Sequence, residues 1–390
     1  MPDEFALGEV LAAAEDAAPM DSVDVVARYV QKRFGAVSVS FLFLDFVGQE
    51  LVRLTAADDA GAGGTSPVRI PLRGSVHELV LRDQRLHREP DAEGRQRVIA
   101  PVTNRGDCIG VLEMTLPHTD GDVLRHVSEA AHTLAYIIVT DRRFTDAYQW
   151  GQRTTALTLA AEIQHQLLPS ASCCEAPQFT LACALVPADD IGGDTYDYSL
   201  DRDALHLSLT DAMGHDVDSA LLATLLLGAL RGARRTGCHV AEQARQAHQA
   251  LLAHGRGAMA TGQLLCVDLT RARIELVNAG HPWPLRLRDG VVQEIPLSVN
   301  LPFGVPSPVP YRVQELDLRP GDRIILLTDG MQDREAASVD LSVLLRRTRH
   351  LHARQTVQSL TEAVKDACQG RPRDDASVIC LDWHGGIGGN

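Results

Sequence analysis

Leu205-His206-Leu207-Ser208-Leu209-Thr210-Asp211-Ala212-Met213-Gly214-His215-Asp216 is the stretch around which the chain is organised. Leu205, Leu207 and Leu209 alternate with His206, Ser208 and Thr210, the two-residue period of a half-buried strand. The strand ends on Asp211, Gly214 allows a sharp turn, and Ser219 to Arg231 reads as a buried, Leu- and Ala-rich helix. A carboxylate is thereby delivered at the mouth of a strand on a rigid base, where a cation or a reacting phosphate can be met.

On either side of this stretch, further acidic residues occupy equivalent places. Asp194 follows Gly192-Gly193, Asp329-Gly330 follows the apolar run Ile324 to Thr328, and Asp374-Asp375 precedes a final strand over Ala376 to Trp383. Asp197 is a near neighbour of Asp194, as Asp375 is of Asp374. One Asp at a strand end is ordinarily a turn or cap residue. Several brought together repel and raise one another's pKa unless a cation neutralises them, and hard oxygen ligands suit Mg²⁺ or Mn²⁺. No His and Cys set favours zinc.

Outward from this region, Thr180 to Val186 is a strand, and residues 192–197 turn into a strand over Tyr198 to Leu200. Ala241 to Leu252 is a helix, while Leu264 to Leu269 and Arg273 to Val277 form a hairpin. Asn278-Ala279-Gly280-His281-Pro282 turns into Leu285 to Arg288, and helices follow around Leu341 to Arg347 and Val357 to Cys368. Long helices among many antiparallel strands suggest stacked sheets with helices outside.

The first 140 residues have another texture. After an Ala- and acid-rich stretch over residues 1–20, read as a short lead-in helix or a loose tail, come a helix from Asp21 stopped by Gly35, a hairpin over Val37 to Leu54, and a small-residue loop over Asp58 to Pro67. A short helix at Ser75 to Leu81, strands over Arg97 to Val102 and Ile109 to Leu116, and a long amphipathic helix over Val123 to Val139 complete a compact α+β domain. From Asp141 to Leu168 helical spacing continues, with Phe144, Tyr148, Gly151, Thr155, Leu159, Ile163 and Leu167 on one stripe until Pro169. This segment reads either as a helix packed on its own domain or as a signalling helix that carries strain between domains or forms a homodimer.

The totals set limits. A chain of 390 residues accommodates two to three domains, and 45% hydrophobic with 23% charged residues is ordinary globular composition. The net charge of −14 argues against a nucleic-acid or anionic-membrane partner and suits cation binding. Eight cysteines without Cys-x-x-Cys spacing, no secretory leader and no spanning apolar run lead to an expectation of reduced thiols and a cytoplasmic location.

Ile191-Gly192-Gly193-Asp194, Asp211-Ala212-Met213-Gly214-His215, Asn278-Ala279-Gly280-His281-Pro282, Leu327-Thr328-Asp329-Gly330 and Asp374-Asp375-Ala376-Ser377-Val378 resemble, in order, the metal-dependent PPM-type (protein phosphatase 2C-like) serine/threonine phosphatases. The likeness is to the bacterial SpoIIE/RsbU-like branch, whose regulatory lead-in helix Glu162-Ile163-Gln164-His165-Gln166-Leu167-Leu168-Pro169 resembles too. The order of elements in the first domain, most of all Val98 to Leu116, resembles a GAF domain that senses an unknown small ligand. It lacks the Asn-Lys pair of cyclic-nucleotide binders, and Cys108 reads as a packed small residue rather than a chromophore attachment.

These resemblances imply a GAF-like domain over 1–140, a connecting helix over 141–169, a four-layer αββα phosphatase domain over 170–385 and a tail over 386–390. They imply two Mn²⁺ or Mg²⁺ ions bridged by Asp211, one also held by Asp194 and the backbone carbonyl of Ala212, the other by Asp329 and Asp374. A water activated between the ions then attacks phosphorus, and no protein nucleophile is needed. The substrate expected is a phosphoserine or phosphothreonine protein, an anti-sigma-factor antagonist. The general acid stays unassigned, with water as the default and His215 as a candidate; Asp216 departs from the family's usual Gly and reads as solvated, and His281 reads as a turn residue. A non-catalytic, ligand-sensing and partner-binding module is the alternative from a different class, and a two-metal phosphodiesterase a third.

Overall fold

The computed structural model describes residues 7–45, 48–53, 68–152, 154, 158–188, 192–214, 216–332 and 334–386. The loop expected over Asp58 to Pro67, Ile191, His215 and most of the tail fall outside these residues, as does the side chain of Asp216. The chain divides into two compact units, residues 1–156 and 157–390. No described helix is long and apolar enough to cross a membrane.

The first unit runs α1 (Leu7–Glu15), α2 (Ser22–Phe34), β1 (Ser38–Leu44), β2 (Glu50–Arg53), β3 (Val68–Pro71), α3 (Val76–Asp83), β4 (His87–Pro90), β5 (Gln96–Asn104), β6 (Asp107–Leu116), α4 (Gly121–Asp141) and α5 (Ala147–Gly151). Its strands form one sheet in the order β3-β2-β1-β6-β5-β4, every pairing antiparallel. Gly35, left-handed at φ 61°, ends α2 where the sequence placed a stop. One core carries Phe41, Phe43, Val98, Leu112 and Met114 against Val10, Val26, Val30, Leu134 and Ile138 of the helices. Of the two readings of residues 1–20, a short lead-in helix or a loose tail, the helix is the one formed: α1 buries Val10 and Ala14.

The continuous helix expected over 141–169 is not formed. Residues 142–146 leave the helix, because Thr145 Oγ1 accepts the Ala147 amide at 3.1 Å and draws the backbone away from an i→i−4 bond. Tyr148 of α5 is buried against Phe43, with its hydroxyl donating to the Pro19 carbonyl, which fixes α5 in the first unit. A new helix, α6 (Leu159–Leu167), starts at Thr158, whose side chain caps the Ala161 amide, and belongs to the second unit. Phe144 and Leu159 are exposed while Tyr148 is buried, so the expected stripe is not one surface and the homodimer reading built on it loses its basis.

The second unit continues with β7 (Cys173–Ala176), β8 (Phe179–Val186), β9 (Asp194–Leu200), β10 (Ala204–Ala212), α7 (Asp216–Arg235), α8 (Val240–His254), β11 (Ala260–Asp268), β12 (Arg273–Ala279), β13 (Leu285–Arg288), β14 (Val291–Glu294), β15 (Gln314–Asp317), β16 (Arg323–Leu327), α9 (Leu341–Arg347), α10 (Ala353–Ala367) and β17 (Ala376–Trp383). Two antiparallel sheets result, ordered β15-β12-β11-β10-β9 and β14-β13-β16-β17-β8-β7. Leu205, Leu207 and Leu209 meet Phe179, Leu181, Ile324, Leu326, Ile379 and Trp383 between the sheets. Each such fully buried Leu contributes roughly 1.5–3 kcal/mol. Leu264 and Val277 pack outward on Leu226, Leu230 and Leu251 of α7 and α8, and Ile325, Val378 and Cys380 pack outward on Leu345, Leu360 and Val364 of α9 and α10. The second unit is therefore a four-layer αββα sandwich, as expected, and the turn anticipated at 192–197 is shorter because Asp194 already begins a strand.

Arg323, 4% exposed, ties the outer layer to its sheet. Its Nε and Nη2 donate to Asp382 at 2.6 and 2.8 Å, Nη1 to the Thr348 carbonyl and Thr356 Oγ1, and Nη2 also to the Leu351 carbonyl. All guanidinium N–H groups are used. Replacing Arg323 with Met leaves Asp382 an uncompensated, largely buried charge, so urea denaturation is expected to show a loss of about 3 kcal/mol.

Candidate active site

The alternation that buries Leu205, Leu207 and Leu209 continues to Asp211 and points it into the gap between the sheets. The same count along β9, through Tyr196, brings Asp194 to that face, and the ladder sets Asp211 directly opposite Asp194. Along β17 the inward residues Trp383, Leu381 and Ile379 lead back to Ser377 and Asp375, and along β16 Ile324 and Leu326 lead to Thr328. One end of the intersheet gap thus receives Asp194, Asp211, Thr328 and Asp375, with Asp329 and Asp374 on its exposed margin.

Burial differs sharply across the set. Asp194 is 2% exposed and Asp375 1%, Asp211 is half-buried, and Asp329 and Asp374 are exposed. Burial first, then the charges of Asp329, Asp374 and Asp375, pushes the Asp211 carboxyl up to about 7. Burial, then Asp211 and Asp375, holds Asp194 well above the usual carboxylate range. Asp375 rises to about 6 through burial, although the Ala188 and Asp194 amides and the Gln164 side chain oppose the shift. These are the values for the carboxylates alone, and each marks repulsion that a cation would relieve.

Individual contacts separate the roles. Asp194 Oδ2 accepts from Thr328 Oγ1 at 2.8 Å, while Thr328 Oγ1 accepts the Ser377 amide at 2.8 Å, so one hydroxyl couples β9 of the first sheet to β16 and β17 of the second. Asp375 is engaged by backbone and side chain: Oδ1 accepts from Ala188 N at 2.9 Å, and Oδ2 from Asp194 N at 3.4 Å and from Gln164 Nε2 at 2.6 Å. Asp197, on the opposite face of β9, is away from the gap and pairs with Arg231 and Arg234 of α7 at 2.8 and 2.7 Å.

Two glycines leave room for carbonyls at the site. A Cβ on Gly193 would overlap the Ala212 carbonyl oxygen and stand 3.4 Å from Asp211 Oδ1; a Cβ on Gly330 would overlap the Asp375 carbonyl oxygen. The backbone of Gly193 also accepts the Ala212 amide at 3.1 Å. The Ala212 carbonyl expected from the sequence therefore sits in a slot that only glycine at 193 permits.

His281 is buried behind the ladder. Its Nδ1 meets Thr261 Oγ1 at 2.9 Å, Thr261 lies opposite Asp211, and burial lowers the imidazole pKa to about 3. Asn278 locks the turn by accepting the His281 amide and donating to the His281 carbonyl, both at 2.8 Å. Among the described residues no three His, Cys, Asp or Glu side chains have the spacing to hold a metal ion. The donors nonetheless fit a hard cation in kind: all are oxygens, and the Asp194 and Asp211 carboxyls are both raised by burial and then by neighbouring carboxylates. Sequence reasoning missed Thr328, Gln164 and the buried role of Asp375.

Residues 201–384 match the family described as Stage II sporulation protein E (SpoIIE). The phosphoserine phosphatase RsbP of Bacillus subtilis (strain 168) is 28% identical over 207 residues, covering 50% of this chain and 50% of that protein. RsbU of the same organism, also named a phosphoserine phosphatase, is 20% identical over 269 residues, covering 64% of this chain and 79% of that one. The chain thus spans about half the length of the first relative. Among solved structures, the RsbU and RsbW domains of Rv1364c from Mycobacterium tuberculosis align with a TM-score of 0.48 at 23% identity, covering 54% of this chain and 63% of that one. With its ordered motifs and this match, the segment 201–384 of the chain belongs to the SpoIIE family of PP2C-type phosphatase domains.

Proposed function

We propose that the second unit is a divalent-metal-dependent protein serine/threonine phosphatase acting on phosphoserine or phosphothreonine of a partner protein, an anti-sigma-factor antagonist. The observation that carries this reading is the carboxylate mouth itself, where Asp211 lies opposite Asp194 and is raised to about 7 by burial and by Asp329, Asp374 and Asp375. The naming of RsbP and RsbU as phosphoserine phosphatases supports the reaction class.

Two Mn²⁺ or Mg²⁺ ions, when bound, supply the positive charge that acidifies water and neutralises phosphoryl oxygens. Asp211, at the centre, would hold both. Asp194, its Oδ2 fixed by Thr328, and the Ala212 carbonyl beside Gly193 would hold one; Asp329 and Asp374 on the exposed margin would hold the other. The ends of β9 and β10 keep the Asp194, Asp211 and Ala212 oxygens in place before substrate arrives, so little reorganisation of these groups is needed during reaction. His281, neutral and buried behind Thr261, serves the turn rather than proton transfer. Water remains the proton donor to the leaving group. The first unit, as a GAF-like sensor of a small ligand, regulates this reaction.

Purified full-length protein with Mn²⁺ is expected to hydrolyse p-nitrophenyl phosphate and a phosphoserine peptide. Asp211→Asn lowers kcat by more than about 100-fold, beyond the range for changes that only reorient a ligand. Full activity in EDTA or in Asp211→Asn overturns the reading, and calorimetry without divalent binding leaves the non-catalytic module in its place.

Proton linkage gives a second check without turnover. Asp211 has a folded pKa raised to about 7, so the folded chain holds its proton more tightly than the unfolded one, and stability falls as pH rises from about 4 to about 7. His281, lowered to about 3, acts in the opposite sense between about 3 and 6.5, so the wild-type curve alone is a mixture. The difference between wild type and Asp211→Asn cancels the His281 contribution and reports Asp211 together with the repulsion it exerts on Asp194. In EDTA the variant's melting temperature is expected to exceed the wild type's by about 5 °C at pH 7.5, a gap that closes by pH 4.5. Mn²⁺ raises the melting temperature of the wild type only.

A further inference from the structure

α6 inserts one polar side chain into the carboxylate mouth. Gln164 is 2% exposed, and its Nε2 donates to the Asp194 carbonyl at 2.8 Å and to Asp375 Oδ2 at 2.6 Å. Asp375 Oδ2 in turn accepts the Asp194 amide at 3.4 Å. The peptide groups on both sides of the Asp194 Cα are therefore held, the amide by Asp375 and the carbonyl by Gln164. With Thr328 on Oδ2, the direction of the Asp194 carboxylate is set by these bonds together. One turn on, the Leu167 carbonyl accepts from Arg231 Nη2 at 2.6 Å, so α6 is seated by side-chain bonds at both 164 and 167.

We propose that Gln164 is a positioning residue for divalent cations: acting through the Asp194 backbone and the Asp375 carboxylate, it fixes the direction of the Asp194 carboxylate and so sets metal affinity. The inference rests on Asp194 being a metal ligand, as in the function proposed above. An amide is suited to this place because it is a neutral donor to a buried carboxylate and adds no charge that would compete with a cation. Residues that orient ligands in this way typically account for 10–100-fold in metal affinity. Gln166, two residues on, is exposed and bonds only within its helix to Glu162, so it shares the helix without sharing the role.

Isothermal titration of Mn²⁺ into full-length wild type, Gln164→Met, Gln164→Asn and Gln166→Met, paired with thermal unfolding in EDTA, tests the proposal. Met keeps the volume and removes the amide; Asn keeps an amide but withdraws it by one methylene, and serves if Met does not fold. Both Gln164 variants are expected to bind Mn²⁺ about tenfold or more weakly, with kcat on p-nitrophenyl phosphate recovering toward wild type at saturating Mn²⁺, while Gln166→Met matches wild type. Folded Gln164 variants that melt lower yet bind Mn²⁺ with wild-type affinity reduce Gln164 to a structural contact and overturn the inference alone. A wild type that binds no Mn²⁺ overturns the metal reading and this inference with it.

Discussion

Two aspartates face each other across an antiparallel ladder at the closed end of a hydrophobic gap, and the rest of the second unit accommodates that arrangement. Like charges directly opposite on neighbouring strands destabilise a sheet. At Asp194 and Asp211 the penalty is increased by burial and by the carboxylates arriving from the second sheet. A slip of β10 by one residue would send Asp211 to the outer face, but it would carry Leu205, Leu207 and Leu209 out of the core with it. The hydrophobic core therefore enforces the electrostatic conflict. A divalent cation is the simplest group that would relieve it, so a bound ion is expected to raise the stability of the second unit.

The supports around the pair divide by chemistry. Thr328 offers a hydroxyl that both donates and accepts, so it links the two sheets without adding charge. Asp375 accepts from two backbone amides and from Gln164 and serves as a brace, while Asp329 and Asp374 lie on the exposed margin. On the outer face, the Asp197 pair with Arg231 and Arg234 fixes α7 to β9, and Arg231 extends the tie to the end of α6. A change in the seating of α6 is thereby felt on both faces of β9.

Much of this was legible in the chain. The alternation in Leu205 to Thr210 gave the strand, its inward face and the destination of Asp211, and the span Ala376 to Trp383 was read to the residue. The short edge strands β4, β7, β14 and β15 were missed because four residues carry too little alternation to separate them from loop. Helical spacing over 141–168 was misleading for a different reason: periodicity reports which residues could share a face, not whether Thr145 and Thr158 will divert the backbone. Between Asp374 and Asp375 a local reading cannot choose, yet counting back by twos from Trp383 would have turned Asp375 inward. Gln164 had no such signal, since its partners lie 30 and 211 residues away.

The central claim is that the carboxylates gathered at the end of the sandwich form a seat for two cations. Crystals of the full-length chain grown with Mn²⁺, measured at the manganese absorption edge, address it most directly. The account predicts two anomalous peaks per chain in the intersheet mouth, both beside the Asp211 carboxylate, one shared with Asp194 and the Ala212 carbonyl and the other with Asp329 and Asp374. Peaks confined to surface acidic residues elsewhere, or none in the mouth at millimolar Mn²⁺, would contradict it.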